Sequence, residues 1–102
     1  ITSLEKIIFD VGNIEYIPEC LANLSELKEL EFHNHPITNI PIALCKIETI
    51  KYLDFGSTKI EEIDERLFDL PNLKKIDLGY CKNLKEPYLK SLKNKYGDKV
   101  YY

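Results

Sequence analysis

Three carboxylates, Glu31, Asp54 and Asp77, recur at intervals of 23 residues. Each is the centre of a short apolar–polar alternation: Leu30-Glu31-Phe32, Leu53-Asp54-Phe55 and Ile76-Asp77-Leu78. Alternate residues of a strand face one way, so these acids point away from a core. In-register pairing would set the three side by side. Like charges opposite one another across strands destabilise a sheet. Such a ridge is expected to receive a basic protein surface or a cation. The plainer alternative is a solvated polar face whose repulsion is relieved by Lys28, Lys51, Lys74 and Lys75.

The same register makes three outward columns. The first holds Lys6, Glu29, Tyr52, Lys75 and Lys99. The middle one holds Ile8, Glu31, Asp54, Asp77 and Tyr101, and the third Asp10, His33, Gly56 and Gly79. Tyr52 and Tyr101 flank the acids, and aromatic side chains dominate interface hot spots. Tyr16 and Tyr80 belong to the same aromatic set. The candidate partner-binding residues are therefore Glu31, His33, Tyr52, Asp54, Asp77 and Tyr101. Replacing Asp54 and Asp77 together by Lys is expected to spare the fold and abolish binding.

A narrower chemistry is a metal site. Asp10 and His33 are expected to be lateral neighbours, with Glu31 about 6.6 Å along the strand from His33. Asp, Glu and His are zinc ligands, and carboxylates also suit calcium. No fourth ligand is evident. For catalysis there is no GxSxG, HExxH, P-loop or dinucleotide glycine pattern. Gly56 and Gly79 read either as room for a ligand's close approach or, more simply, as strand-end turns. Cys20, Cys45 and Cys81 have no CxxC or CxxH spacing, so a zinc knuckle is excluded. A Cys20–Cys45 disulfide is an alternative in an exported chain. The simpler expectation is three small buried hydrophobes.

What positions these residues is a repeat. Apolar columns run through the chain at the same 23-residue interval: Ile1/Leu24/Ile47/Leu70, Leu4/Leu27/Ile50/Leu73, Ile7/Leu30/Leu53/Ile76 and Phe9/Phe32/Phe55/Leu78. Three more are three deep: Ile14/Ile37/Ile60, Ile17/Ile40/Ile63 and Leu21/Leu44/Leu67. A fixed period of this length marks stacked units, none of which buries its apolar face alone. Each unit opens on a strand and returns through irregular three- and four-residue spacings, a loosely helical or 3₁₀ path. The result is a parallel sheet with neighbouring strands about 4.8 Å apart.

The segment LSELKELEFHNHPITNIPIALCK, from Leu24 to Lys46, resembles the leucine-rich repeat of the 23-residue kind. That kind is known from Ras-suppressor-like proteins and from many bacterial proteins, spirochaete ones among them. The resemblance covers residues 1 to about 93. It implies an α/β solenoid: a right-handed superhelix with a parallel sheet on its concave face. The repeats are 1–23, 24–46, 47–69 and 70–93 of one domain, 1–102. The family's Ile-Pro stands at Ile17-Pro18 and Ile40-Pro41 and becomes Ile63-Asp64 in the third unit. The family's ladder asparagine is replaced by Gly12, His35, Thr58 and Cys81. Thr, Cys and His can donate a hydrogen bond and Gly12 cannot. The first turn is expected to be loosened, or rescued by water, Asn13 or Asn34.

The fourth unit is one residue longer, with Leu84 taking the apolar place at 83. Pro87 then suits a helix start, Tyr88, Leu89, Leu92 and Tyr96 share a helical face, and Gly97 suits a left-handed stop. A strand is expected over 98–102, with Val100 and Tyr102 facing inward. This helix–strand segment, about 86–102, reads as a C-terminal cap. No equivalent cap is legible at the start, and Ile8 takes an outward position. That open edge invites pairing with a second chain.

The net charge of −3 argues against a nucleic-acid backbone as partner. No apolar run approaches the roughly 20 residues of a membrane span, and no signal peptide is legible. The chain begins at Ile1 rather than Met, as expected of a processed or trimmed chain. The reading is a non-catalytic protein-binding module with the concave face as its contact surface. The alternatives are a zinc- or calcium-binding surface protein and a module that self-associates, as a homodimer, through its N-terminal edge. The family resemblance favours a secreted or cell-surface bacterial setting facing a host molecule over a cytoplasmic one.

Overall fold

A computed structural model describes residues 4–9 and 13–102; Ile1, Asp10 and Gly12 fall outside that range. Five short strands, β1 (Lys6–Ile8), β2 (Glu29–Glu31), β3 (Tyr52–Asp54), β4 (Lys75–Asp77) and β5 (Val100–Tyr101), form one sheet in chain order. Every pairing is parallel. Lys6 lies opposite Glu29, Glu29 opposite Tyr52 and Tyr52 opposite Lys75, which is the 23-residue interval made into register. The last step is one residue longer, Ile76 facing Val100, as the extra residue before Leu84 requires.

The chain returns from each of the first three strands through a single 3₁₀ turn: Glu19–Asn23, Ile42–Lys46 and Glu65–Asp69. Pro18 and Pro41 stand at the caps of the first two, their fixed φ already extended, at −64° and −66°. Asp64 takes the third cap and solves the same problem with its side chain. Its Oδ1 accepts the Arg66 N–H at 3.0 Å, while the Arg66 guanidinium grips both carboxylate oxygens.

The core lies between sheet and return paths and is made of the apolar columns. Leu27, Leu30, Phe32, Ile37, Leu44, Ile50, Phe55, Ile60, Ile76 and Leu78 are fully buried. Phe9, Phe32 and Phe55 stack as a spine, with ring centroids 4.8 and 6.2 Å apart. Burial fades in the first coil. Leu4 is 41% exposed where Leu27 and Ile50 are not exposed at all. Ile7 and Phe9 are only partly covered.

The C-terminal segment differs in detail from expectation. A helix α1 (Glu86–Tyr96) has Pro in its first turn and buries Leu89 and Leu92. Tyr96 stacks on Phe68 with centroids 4.0 Å apart, and the Tyr88 hydroxyl accepts the Ile63 N–H at 2.9 Å. Gly97 has φ +61°, a conformation that a side chain disfavours. The strand is shorter than 98–102, because Gly97–Lys99 form a 3₁₀ turn first. Val100 is buried, but Tyr102 is 45% exposed and does not face the core. Lys99 leaves the outward column, since its ammonium donates to the Phe68 carbonyl at 3.2 Å.

The missing asparagine ladder is replaced by three different chemistries. His35 is buried; its Nδ1 accepts the Ile14 N–H at 3.2 Å, so Nε2 carries the proton and donates to the Phe9 carbonyl at 2.6 Å. The second coil thus supplies, through His35, the donor for the strand end of the first, where a loosened turn or a rescue by water, Asn13 or Asn34 is the sequence expectation. Thr58 Oγ1 donates to Phe55 O at 2.7 Å, and Cys81 Sγ donates to that same carbonyl at 3.0 Å. Of the cysteines, only Cys81 is buried; Cys20 is exposed, Cys45 is half-buried, and all three are free thiols. The expectation of three buried hydrophobes fails because 20 and 45 lie on the outer 3₁₀ turns, where one side meets water.

Candidate functional site

The outward residues of β2 to β4 make one surface. Glu31 pairs with Asp54 and Asp54 with Asp77, so the three acids stand side by side, and Asp77 is followed by Tyr101. Tyr52 lies between Glu29 and Lys75 in the neighbouring column. A shallow depression of about 310 Å³ is lined by Glu29, Glu31, Tyr52, Asp54, Lys75 and Asp77. Four of the six residues singled out from the sequence therefore line this depression, and a fifth, Tyr101 on β5, adjoins Asp77. His33 is at its rim, two residues beyond Glu31.

Each aspartate is held in place by its own turn. Asp54 Oδ1 accepts the Gly56 N–H at 2.8 Å, and Asp77 Oδ1 accepts the Gly79 N–H at 2.8 Å. This is the Asx turn, in which a carboxylate caps the backbone two residues on. It explains both glycines. A Cβ at Gly79 would meet the Asp77 carboxylate at 3.1 Å, and one at Gly56 would meet the His33 ring at 2.8 Å. So Gly56 and Gly79 serve strand-end turns, and Gly56 also makes room for His33. The acids consequently have a local structural duty as well as an outward face. Replacing both by Lys would remove two backbone bonds as well as two charges, so that exchange carries a stability cost beside any effect on binding.

The lysines relieve repulsion differently from the expected way. Lys6 bridges Glu29 at 3.5 Å and Glu31 at 3.7 Å. Lys28 turns instead to Glu5 at 2.7 Å. That hydrogen bond and its charge hold the Glu5 carboxyl below the usual carboxylate range and raise Lys28. Lys75 places its ammonium 5.3 Å from the centre of the Tyr101 ring, a cation–π contact. Asp77 has no ion pair among the described residues, and Asp54 has only His33, Nδ1 to Oδ1 3.7 Å. The acidic character thus persists at β3 and β4.

His33 leans towards Asp54 and Gly56, the coil after its own. Asp10, the other partner of the expected metal set, lies outside the described residues. Among the described residues no group of three or more His, Cys, Asp or Glu side chains is arranged to hold a metal ion. No helix among them is long and apolar enough to cross a membrane.

The roles of two sets of residues went unread in the sequence, although Asn34 and Tyr80 were singled out there for other reasons. Thr49 and Asn72, again 23 apart, tie neighbouring coils together: Thr49 Oγ1 donates to Leu27 O at 2.6 Å and Asn72 Nδ2 to Glu48 O at 2.9 Å. Their shared repeat position was the available signal. The second set is Asn34, Ser57 and Tyr80, which follow the strands and have φ of 67°, 56° and 58°. They flank a larger groove of about 670 Å³ at the carboxyl ends of the strands.

No protein-family model matches the chain, and no curated protein matches it. Among solved structures it is similar to the functional domain of InlJ from Listeria monocytogenes, described as including a cysteine ladder. The two superpose with a TM-score of 0.60 at 17% identity, over 81% of this chain and 22% of that one. The chain spans about a fifth of that protein's length. At this identity the likeness speaks for the fold, which is leucine-rich-repeat-like.

Proposed function

We propose that this chain is a non-catalytic protein-binding module whose sheet face, concave in a right-handed solenoid of 23-residue repeats, contacts a partner through a basic surface. A leucine-rich-repeat-like fold suggests a protein-interaction role in general. The observation that carries the finer reading is the in-register column Glu31–Asp54–Asp77 between Tyr52, 38% exposed, and Tyr101, 54% exposed. Each aspartate spends Oδ1 on its own glycine, and its Oδ2 has no hydrogen bond among the described residues. A partner's Lys or Arg can bind there, with aromatic rings beside it to exclude water. The helix–strand segment after Glu86 acts as a cap for the last core layer. A secreted or cell-surface setting is consistent with this reading.

The test is a capture experiment with the intact protein and with Asp54→Asn/Asp77→Asn. Asn keeps an oxygen for the glycine N–H while removing the charge. A protein retained by the wild type and lost from the double variant supports the reading; equal retention refutes it.

A second reading is self-association through β1, favoured by Leu4 at 41% and Ile8 at 49% exposure on the first coil and strand. A monomer by light scattering at high concentration counts against it. A zinc or calcium site at Asp10, Glu31 and His33 is a third, and a calorimetric titration without heat above dilution would dismiss it.

A further inference from the structure

We propose a second recognition site, separate from the acidic face: the groove at the carboxyl ends of β3 and β4, with Tyr80 as anchor, takes an acidic peptide segment of a partner protein. Tyr80 closes the turn after β4 with φ 58°, the left-handed region. Asn34 and Ser57 hold the equivalent place in the two preceding coils. Asn suits that conformation and Ser is small, whereas a bulky aromatic side chain there is an outlier. The backbone turn is closed by the Cys81 N–H on the Leu78 carbonyl at 3.4 Å, but the aromatic side chain gains nothing from it: Tyr80 is 86% exposed and forms no side-chain hydrogen bond or ring contact among the described residues. A strained backbone that displays an aromatic ring to water is the signature of an outward role.

The groove beside Tyr80 has a defined charge. Its lining includes Lys59 and Lys82, 23 residues apart on adjacent coils, and no carboxylate. Neither lysine has an ion-pair partner among the described residues. In a chain with net charge −3, this pair sets two cations on neighbouring coils of one groove. Asn83 is already fixed, its amide donating to Lys59 O at 3.1 Å, which braces the groove wall. Two ammonium groups, a phenol hydroxyl and a flat ring fit carboxylates presented along an extended peptide.

The test titrates ¹⁵N-labelled protein with the acetylated, amidated octapeptide of glutamate and, in parallel, with a heparin octasaccharide. The proposal expects peptide-induced shifts concentrated at Ser57–Lys59 and Tyr80–Asn83. Tyr80→Asn is expected to weaken the peptide at least tenfold while keeping or raising Tm, because Asn34 already holds that conformation. Lys59→Gln/Lys82→Gln is expected to weaken it similarly. Absent shifts, shifts spread over all lysines, preference for the octasaccharide, or a Tyr80→Asn variant that melts lower would each overturn the proposal.

Discussion

Asp54 Oδ1 accepts the Gly56 N–H at 2.8 Å and lies 3.7 Å from His33 Nδ1, so one carboxylate both closes its turn and draws the neighbouring coil's histidine over a glycine. Asp77 repeats the first half of that arrangement with Gly79. Charge and acceptor can therefore be separated. Asp54→Asn and Asp77→Asn are expected to leave the urea midpoint nearly unchanged. Asp54→Ala is expected to cost about 1 kcal/mol for the unmade backbone bond. Equal loss for Asn and Ala would mean that charge, not acceptance, matters to the turn.

His35 joins the first two coils, and its two ring nitrogens have two backbone partners, Phe9 O and Ile14 N. His35→Ala leaves both without a partner and opens a void in a site that is 2% exposed. It is expected to destabilise by roughly 2–4 kcal/mol in urea unfolding. His35→Asn, with one acceptor and one donor group on a shorter side chain, is expected to recover part of that loss.

Glu65 fastens α1 to the third return path, accepting from the Tyr96 hydroxyl at 2.5 Å and from Lys95 at 3.0 Å. The Tyr96 bond, then the Lys95 bond, hold its carboxyl below the ordinary value of 4.5. A depressed carboxyl contributes stability that is present above its unfolded value and lost as pH falls through the folded one. Wild type should therefore exceed Glu65→Gln in urea midpoint at pH 7, and the gap should close as pH drops below about 4.5. A gap unchanged at pH 3 would contradict this.

The thiols should react in order of access. Cys20 is exposed, Cys45 is half-buried and Cys81 is buried. Burial pushes the Cys45 thiol up, and the Asp64 carboxylate adds to it, which lowers its thiolate fraction. Maleimide labelling followed by mass spectrometry is expected to modify Cys20 first, Cys45 slowly and Cys81 only on unfolding. Early labelling of Cys81 would mean that the Thr58–Cys81 region opens.

The strands and their register were legible in the sequence because a 23-residue period fixes which residues pair, and Glu31, Asp54 and Asp77 fell side by side accordingly. The 3₁₀ return paths followed from Ile-Pro and the irregular apolar spacing. Other features were not legible because they depend on where long side chains end. Lys28 reaching Glu5, Lys75 lying over Tyr101 and Lys99 folding back to Phe68 O are choices among rotamers that no periodicity encodes. The double duty of Asp54 and Asp77 was encoded locally, as Asp-x-Gly at 54–56 and 77–79, but the outward column overshadowed it. Tyr80 was read as an affinity residue from its type alone; its left-handed backbone needed the fold.

The central claim is that a partner sits on the outward face of β2 to β4. Its most direct test is chemical-shift mapping of the labelled protein with the captured partner. The largest changes are predicted at Glu31, Tyr52, Asp54, Asp77 and Tyr101, and their loss in Asp54→Asn/Asp77→Asn. Changes confined to the return paths at Ile42–Lys46 and Glu65–Asp69, with the strands silent, would contradict the account.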